Sequence, residues 1–126
     1  MLAIIHCYYL RLAKIKDREI FLTYICNSQS KYPALTPKKV LEYLNYEQND
    51  YILRMDLGEG IAVNLALKEN IFAIIPCVMN KIPIFICGKP GCSKSMAISL
   101  VFENLKGEKS KDPFFRKYDN LIMVSF

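Results

Sequence analysis

Apolar positions recur at helical spacing along most of this chain, and the main exception is one short run just before a glycine-bearing turn. From about Leu2 to Ile25 the pattern predicts a first helix, with Arg11, Lys14, Lys16, Asp17, Arg18 and Glu19 on its polar side. Asn27 to Pro37 is rich in turn formers and reads as a connector. Thr36 is suited to cap a second helix and Pro37 to occupy its first position. Val40, Leu41, Leu44 and Ile52 give that helix an apolar face, while Asn45, Asn49 and Asp50 leave its end open. Gly58 and Gly60 mark a turn, and from Ile61 a third helix places Leu67, Ile71, Ile74 and Val78 on one side, with Pro76 as a kink or late stop.

The exception is Ile82 to Cys87, a nearly continuous apolar run of the kind found in a parallel strand buried on both faces. Beyond it, Met96, Leu100 and Asn104 alternate with Ala97, Val101 and Leu105 at helical spacing. Between the two lie Gly88, Lys89, Pro90, Gly91, Cys92, Ser93, Lys94 and Ser95. A strand, a glycine-bearing loop, Lys-Ser and then a helix is the context of a phosphate-binding P-loop. In such a loop main-chain N–H groups and the positive end of the following helix replace the hydration of a triphosphate. Lys94 would reach the β- and γ-phosphates and the Ser95 hydroxyl would ligate Mg²⁺. One position departs from GxxxxGK[ST]: the residue before the lysine is Ser93 rather than glycine, and it needs a backbone geometry that tolerates Cβ. A strand-to-helix turn that happens to contain Gly, Lys and Ser is the plainer reading of the same residues.

The segment Lys81 to Leu100, KIPIFICGKPGCSKSMAISL, resembles the P-loop of an AAA+ module in the mysterin family, whose loop has the form GKPGxSKS. The stretch NLALKENI from Asn64 to Ile71 is similar to the family's helix before the strand. Phe114, Phe115 and Arg116, followed by LIMVSF from Leu121 to Phe126, are similar to its second strand; Cys7, Tyr8, Arg11 and Leu12 fit a looser pattern. The resemblance implies giant cytoplasmic proteins that join an array of AAA+ ATPase modules to a RING-type ubiquitin ligase. It implies an α/β fold, the N-terminal portion of an AAA+ P-loop NTPase: residues 1–60 as a helical region, and 61–126 as helix, strand, Walker A, helix and strand. ATP and Mg²⁺ would be its cofactors, with Gly88 to Ser95 as the binding loop.

A complete AAA+ module needs about twice this length. The acidic Walker B pair and any sensor residue would lie past Phe126, so the domain is expected to be incomplete and no residue here is assigned to hydrolysis or ubiquitin transfer. The expected partners are ATP, neighbouring modules of a parent chain and, through that parent alone, the ubiquitin machinery. Two other readings stay open: a regulatory module that holds nucleotide without hydrolysing it, and a non-enzymatic helical fragment that docks to another protein. Two strands cannot make a stable doubly wound sheet, so residues 81–126 are expected to leave an apolar edge and incompletely covered sheet faces, and the chain expressed alone to be aggregation-prone or partly molten.

Composition narrows the picture only slightly. With 52% hydrophobic and 23% charged residues the chain has the makings of a core and does not read as disordered. Its 5 cysteines, without CxxC spacing, suggest reduced thiols in the cytosol, and a single histidine makes a zinc site improbable. MLAIIHCYYL lacks the basic start and small-residue cleavage site of a signal peptide, and Ile71 to Cys87 is interrupted by Pro76, Asn80, Lys81 and Pro83; no membrane span is predicted. The net charge of +5 gathers partly in Lys106, Lys109, Lys111, Arg116 and Lys117, but Glu108, Asp112 and Asp119 alternate with them. A solvated loop is favoured there over a nucleic-acid surface. Cys92, next to a helix start and Lys94, raises the option of a reactive thiol; a small residue tolerated in the loop is the simpler account. Tyr8, Tyr9, Tyr43 and Tyr46 read as packing groups.

Overall fold

The computed structural model describes residues 1–28 and 35–122. Among the described residues five α-helices follow one another: α1 (Leu2–Cys7), α2 (Ile15–Ser28), α3 (Pro37–Arg54), α4 (Leu65–Met79) and α5 (Lys94–Asn104). Short 3₁₀ turns lie at Tyr9–Arg11, Gly107–Lys109 and Phe115–Lys117. The chain divides into two compact units, Met1–Glu47 and Gln48–Phe126.

In the first unit the single expected helix is broken. Tyr8 leaves the helical region at φ −124°, ψ −52°, and Leu12 is extended at φ −78°, ψ 117°. No Gly or Pro marks this break; the stop is tertiary. Arg18 Nε donates to Leu12 O at 2.7 Å, and its guanidinium lies 5.0 Å from the centroid of the Tyr9 ring. A cation over an aromatic face adds electrostatic attraction to burial, and Tyr9 is also in tilted contact with Phe21. Ile5, Tyr9, Leu22, Val40 and Leu44 are buried. The start of α3 follows the sequence signal: Lys39 N donates to Thr36 Oγ at 3.3 Å, and Pro37 is the first helical residue.

The second unit carries the larger core. Ile52, Met55, Leu67, Ile71, Ile74, Ile75, Ala97, Leu100, Val101, Leu105 and Phe115 form one cluster. Their spacing explains the elements: Leu67, Ile71, Ile74 and Ile75 make one stripe of α4, and Ala97, Leu100 and Val101 make the facing stripe of α5. α4 starts at Leu65 rather than Ile61, because Asn64 is extended (φ −100°, ψ 170°) and its side chain accepts the Leu67 N–H at 2.8 Å. Pro76 acts as a late feature rather than a breaker. It sits in the last turn of α4, and its carbonyl accepts from both N and Nδ2 of Asn80.

The α/β expectation is overturned: among the described residues there is no strand and no sheet, only an isolated antiparallel bridge between Lys106 and Asn120. A run of β-branched and aromatic residues becomes a strand only when a second backbone lies within hydrogen-bonding reach. Residues 82–87 have no ladder partner among the described residues. Nor is the run buried on both faces, since Phe85 is 94% and Ile82 56% exposed, while Ile86 packs on the core. The second expected strand fares no better at Leu121 and Ile122, which are irregular; its residues 123–126 lie outside the described part.

Candidate functional site: the glycine-lysine loop before α5

The loop expected to carry the chemistry leaves α4 through a tight turn. Lys81 takes φ 56°, and Ile82 N donates to Cys77 O at 2.8 Å. The segment then runs without regular structure to α5, whose first residue is Lys94. Gly88, Lys89, Pro90 and Gly91 are all exposed. Gly91 has φ +80°, a conformation that glycine adopts freely, and a Cβ there would meet nothing within 4 Å. Cys92 and Ser93 are half-buried, and Ser95 is exposed in the first turn of α5.

Ser93 is the departure from the generic motif, and its backbone explains why that departure is notable. It sits in the left-handed region at φ 54°, ψ 20°, where a residue with a Cβ is strained. Its carbonyl accepts the Ala97 N–H at 2.9 Å and so begins the helix. The N–H groups of the first turn of α5 have no intrahelical acceptor, which leaves partial positive charge at the loop.

Lys94 folds back over the loop. Its Nζ donates to Gly88 O at 2.8 Å and to Lys89 O at 2.6 Å. Gly88 lies beneath this side chain, and a Cβ there would touch Lys94 Cδ at 3.6 Å and Nζ at 3.7 Å. The structure thus brings Gly88, Lys89 and Lys94 into one contact network, with the Ser95 hydroxyl in the same helical turn.

Two residues that the motif does not contain take part. Asn70, midway along α4, donates from Nδ2 to Cys92 O at 2.7 Å. Asn64 donates from Nδ2 to Ser93 Oγ at 3.3 Å while its Oδ1 caps α4. Asn64 carries the sequence signal of a helix cap, but nothing in the spacing shows that either amide reaches residues more than twenty positions on.

The far end of α5 is a different environment. Asn104, 7% exposed, accepts the Asp56 N–H at 2.7 Å and donates to Asp56 O at 3.1 Å and Leu100 O at 2.8 Å. A cleft of about 360 Å³ there is lined by Asp56, Glu103, Asn104, Lys106, Lys109 and Lys111, among others. Lys111 Nζ donates to Asp56 Oδ2, and this bond, with the Gly58 N–H, holds the Asp56 carboxyl below the usual aspartate range. Arg54 bonds Asp50 at 2.7 Å, approaches Asp112 at 3.6 Å and lies over the Phe114 ring; the Asp50 bond chiefly raises its pKa. Here Lys111 pairs with Asp56, and Arg54 with Asp50 and Asp112.

Residues 60–126, which include α4, the loop and α5, match the family model described as the RNF213 AAA domain. This chain belongs to the mysterin (RNF213) family. It is 35% identical over all 126 residues to the human E3 ubiquitin-protein ligase RNF213, and 32% identical over the same length to the mouse protein of that name. A zebrafish relative, E3 ubiquitin-protein ligase rnf213-beta, is 40% identical over 78 residues, or 61% of this chain. The chain spans about 2% of the length of each of these relatives. No helix among the described residues is long and apolar enough to cross a membrane.

Proposed function

We propose that this chain is the nucleotide-binding segment of an AAA module in a mysterin-type ubiquitin ligase, with Gly88 to Ser95 as a P-loop for Mg-ATP. The observation that carries the reading is the position of the Lys94 ammonium, at the start of α5 and over the exposed Gly88–Gly91 turn, within a segment similar to an AAA domain. An ammonium has three donors. Two go to Gly88 O and Lys89 O, and the third suits a phosphate oxygen. Gly91, where even a Cβ would meet nothing within 4 Å, lets the main chain come close to a polyphosphate. The N–H groups at the start of α5 favour its negative charge.

Mg²⁺ held with the nucleotide would neutralise part of the phosphate charge. The exposed Ser95 hydroxyl is the group of this chain placed to ligate it. Lys94 orients the outer phosphates, and the loop main chain grips the inner ones. In a parent protein of the kind its relatives are, an E3 ubiquitin-protein ligase, the segment would couple nucleotide state to rearrangement of neighbouring modules in the cytoplasm; that role is part of the proposal.

Titration of the chain with a fluorescent ATP analogue, with and without Mg²⁺, tests the reading. Lys94→Ala should weaken binding at least about tenfold by removing a charge-assisted contact, and Ser95→Ala should remove most of the Mg²⁺ dependence. Equal affinity of wild type and Lys94→Ala would sink it.

A further inference from the structure

We infer that Asn70 of α4 and Asn64, its N-cap, are positioning residues for the phosphate-binding loop, holding Ser93 in the left-handed conformation that a glycine would take unaided; this rests on the Mg-ATP reading above. The generic motif has glycine before the lysine, because φ near +60° is free only without a Cβ. Here the residue is Ser93, at φ 54°. Strain of this kind persists only where the surroundings over-determine the backbone.

The flanking hydrogen bonds supply that determination. Asn70 Nδ2 holds the Cys92 carbonyl at 2.7 Å and so fixes the rotation of the peptide plane between Cys92 and Ser93. On the other side of Ser93, its own carbonyl is committed to Ala97 N at 2.9 Å. Asn64 Nδ2 meets the Ser93 hydroxyl at 3.3 Å, giving the side chain itself an anchor. Asn70 lies on α4 and Asn64 caps it, and α4 is sunk in the core through Leu67, Ile71 and Ile74, so both positions are fixed independently of the loop. An ordered peptide plane at Cys92–Ser93 in turn sets the direction of the N–H groups offered to a phosphate and the starting point of the Lys94 side chain.

The test is a double-mutant cycle, read by fluorescent ATP analogue affinity and by thermal melting on the full chain. Asn70→Ala should weaken Mg-nucleotide binding by about five- to tenfold, the size of one well-formed hydrogen bond. Its melting temperature should change little, since the better helix propensity of alanine offsets most of the lost bond. Asn64→Ser, which keeps a capping oxygen but loses the amide donor, should weaken binding by about two- to threefold.

Ser93→Gly is the decisive background. With glycine in the left-handed position, the Asn70→Ala effect on affinity should shrink to within about twofold and the Asn64→Ser effect should vanish. Losses of the same size in the serine and glycine backgrounds overturn the proposal, as does wild-type affinity in Asn70→Ala. In those cases binding that still depends on Lys94 leaves the nucleotide reading intact. If the wild type binds no better than Lys94→Ala, the nucleotide reading fails and this one with it.

Discussion

The two ends of α5 are anchored by opposite means. At its start the helix emerges from exposed backbone held by polar ties: Lys94 to Gly88 O and Lys89 O, Asn70 to Cys92 O, and Asn64 to Ser93 Oγ. At its finish Asn104 and Leu105 are buried, Phe115 is 1% exposed in the same cluster, and Phe114 is ringed by Tyr51, Phe115 and Tyr118. Burial fixes a backbone firmly but takes its N–H groups out of reach. Hydrogen-bonded tethers fix it more weakly, and leave the peptide groups between them accessible. The second arrangement is the one a loop needs if its main chain is to meet an anion.

The largest break in this contrast should come from the buried end. Phe115→Ala removes a fully buried ring and should cost about 3–5 kcal/mol in urea unfolding; a loss under about 1 kcal/mol would show that the aromatic cluster does not anchor the helix. Next is Asn104→Leu, which leaves the Asp56 N–H and carbonyl without their partner and should cost about 1–2 kcal/mol. An unchanged urea midpoint would mean that water takes over both bonds.

Two glycines with positive φ sharpen the comparison further. A Cβ on Gly107 (φ +57°) would press on Asn120 N at 3.3 Å, whereas one on Gly91 (φ +80°) meets nothing. Gly107→Ala should therefore destabilise by about 2 kcal/mol, and Gly91→Ala by about 1 kcal/mol from backbone strain alone. Equal penalties would deny the packed end its tighter fit.

The smallest effect concerns Asp56 and acid. Its folded pKa lies below the ordinary value because the Lys111 ammonium and the Gly58 N–H bind the ionised form. That contribution is complete above about pH 4, the usual aspartate value, and fades as pH falls through the lower folded pKa. Between about pH 5 and pH 3, wild type should lose slightly more stability than Asp56→Asn, because an exposed pair contributes little. Parallel urea midpoints for the two proteins would place the pair's contribution at zero.

Local chemistry was legible where the deciding forces are local. Thr36 and Pro37 announced the start of α3, and the helical spacing of Ala97, Leu100, Val101 and Asn104 announced α5, although Met96 in the same pattern is exposed. The family was legible in the loop residues and is borne out by the match to residues 60–126. The strand expected at residues 82–87 was not readable: apolar character reports a preference for burial, but a ladder depends on whether a second backbone is near. The same limit hid Asn70, whose acceptor lies 22 residues further on. It also hid the break after α1, made by Arg18 reaching back to Leu12 O.

The bare phenyl ring of Phe85 has a practical consequence. It stands 94% exposed in a segment without regular backbone structure, whereas the exposed rings of Tyr24 and Tyr46 sit in helices. A protease that cleaves after aromatic residues needs an extended, unwound substrate, so among the described residues the Phe85–Ile86 bond offers itself first. Such a nick would part α4 from α5 while leaving both helices whole.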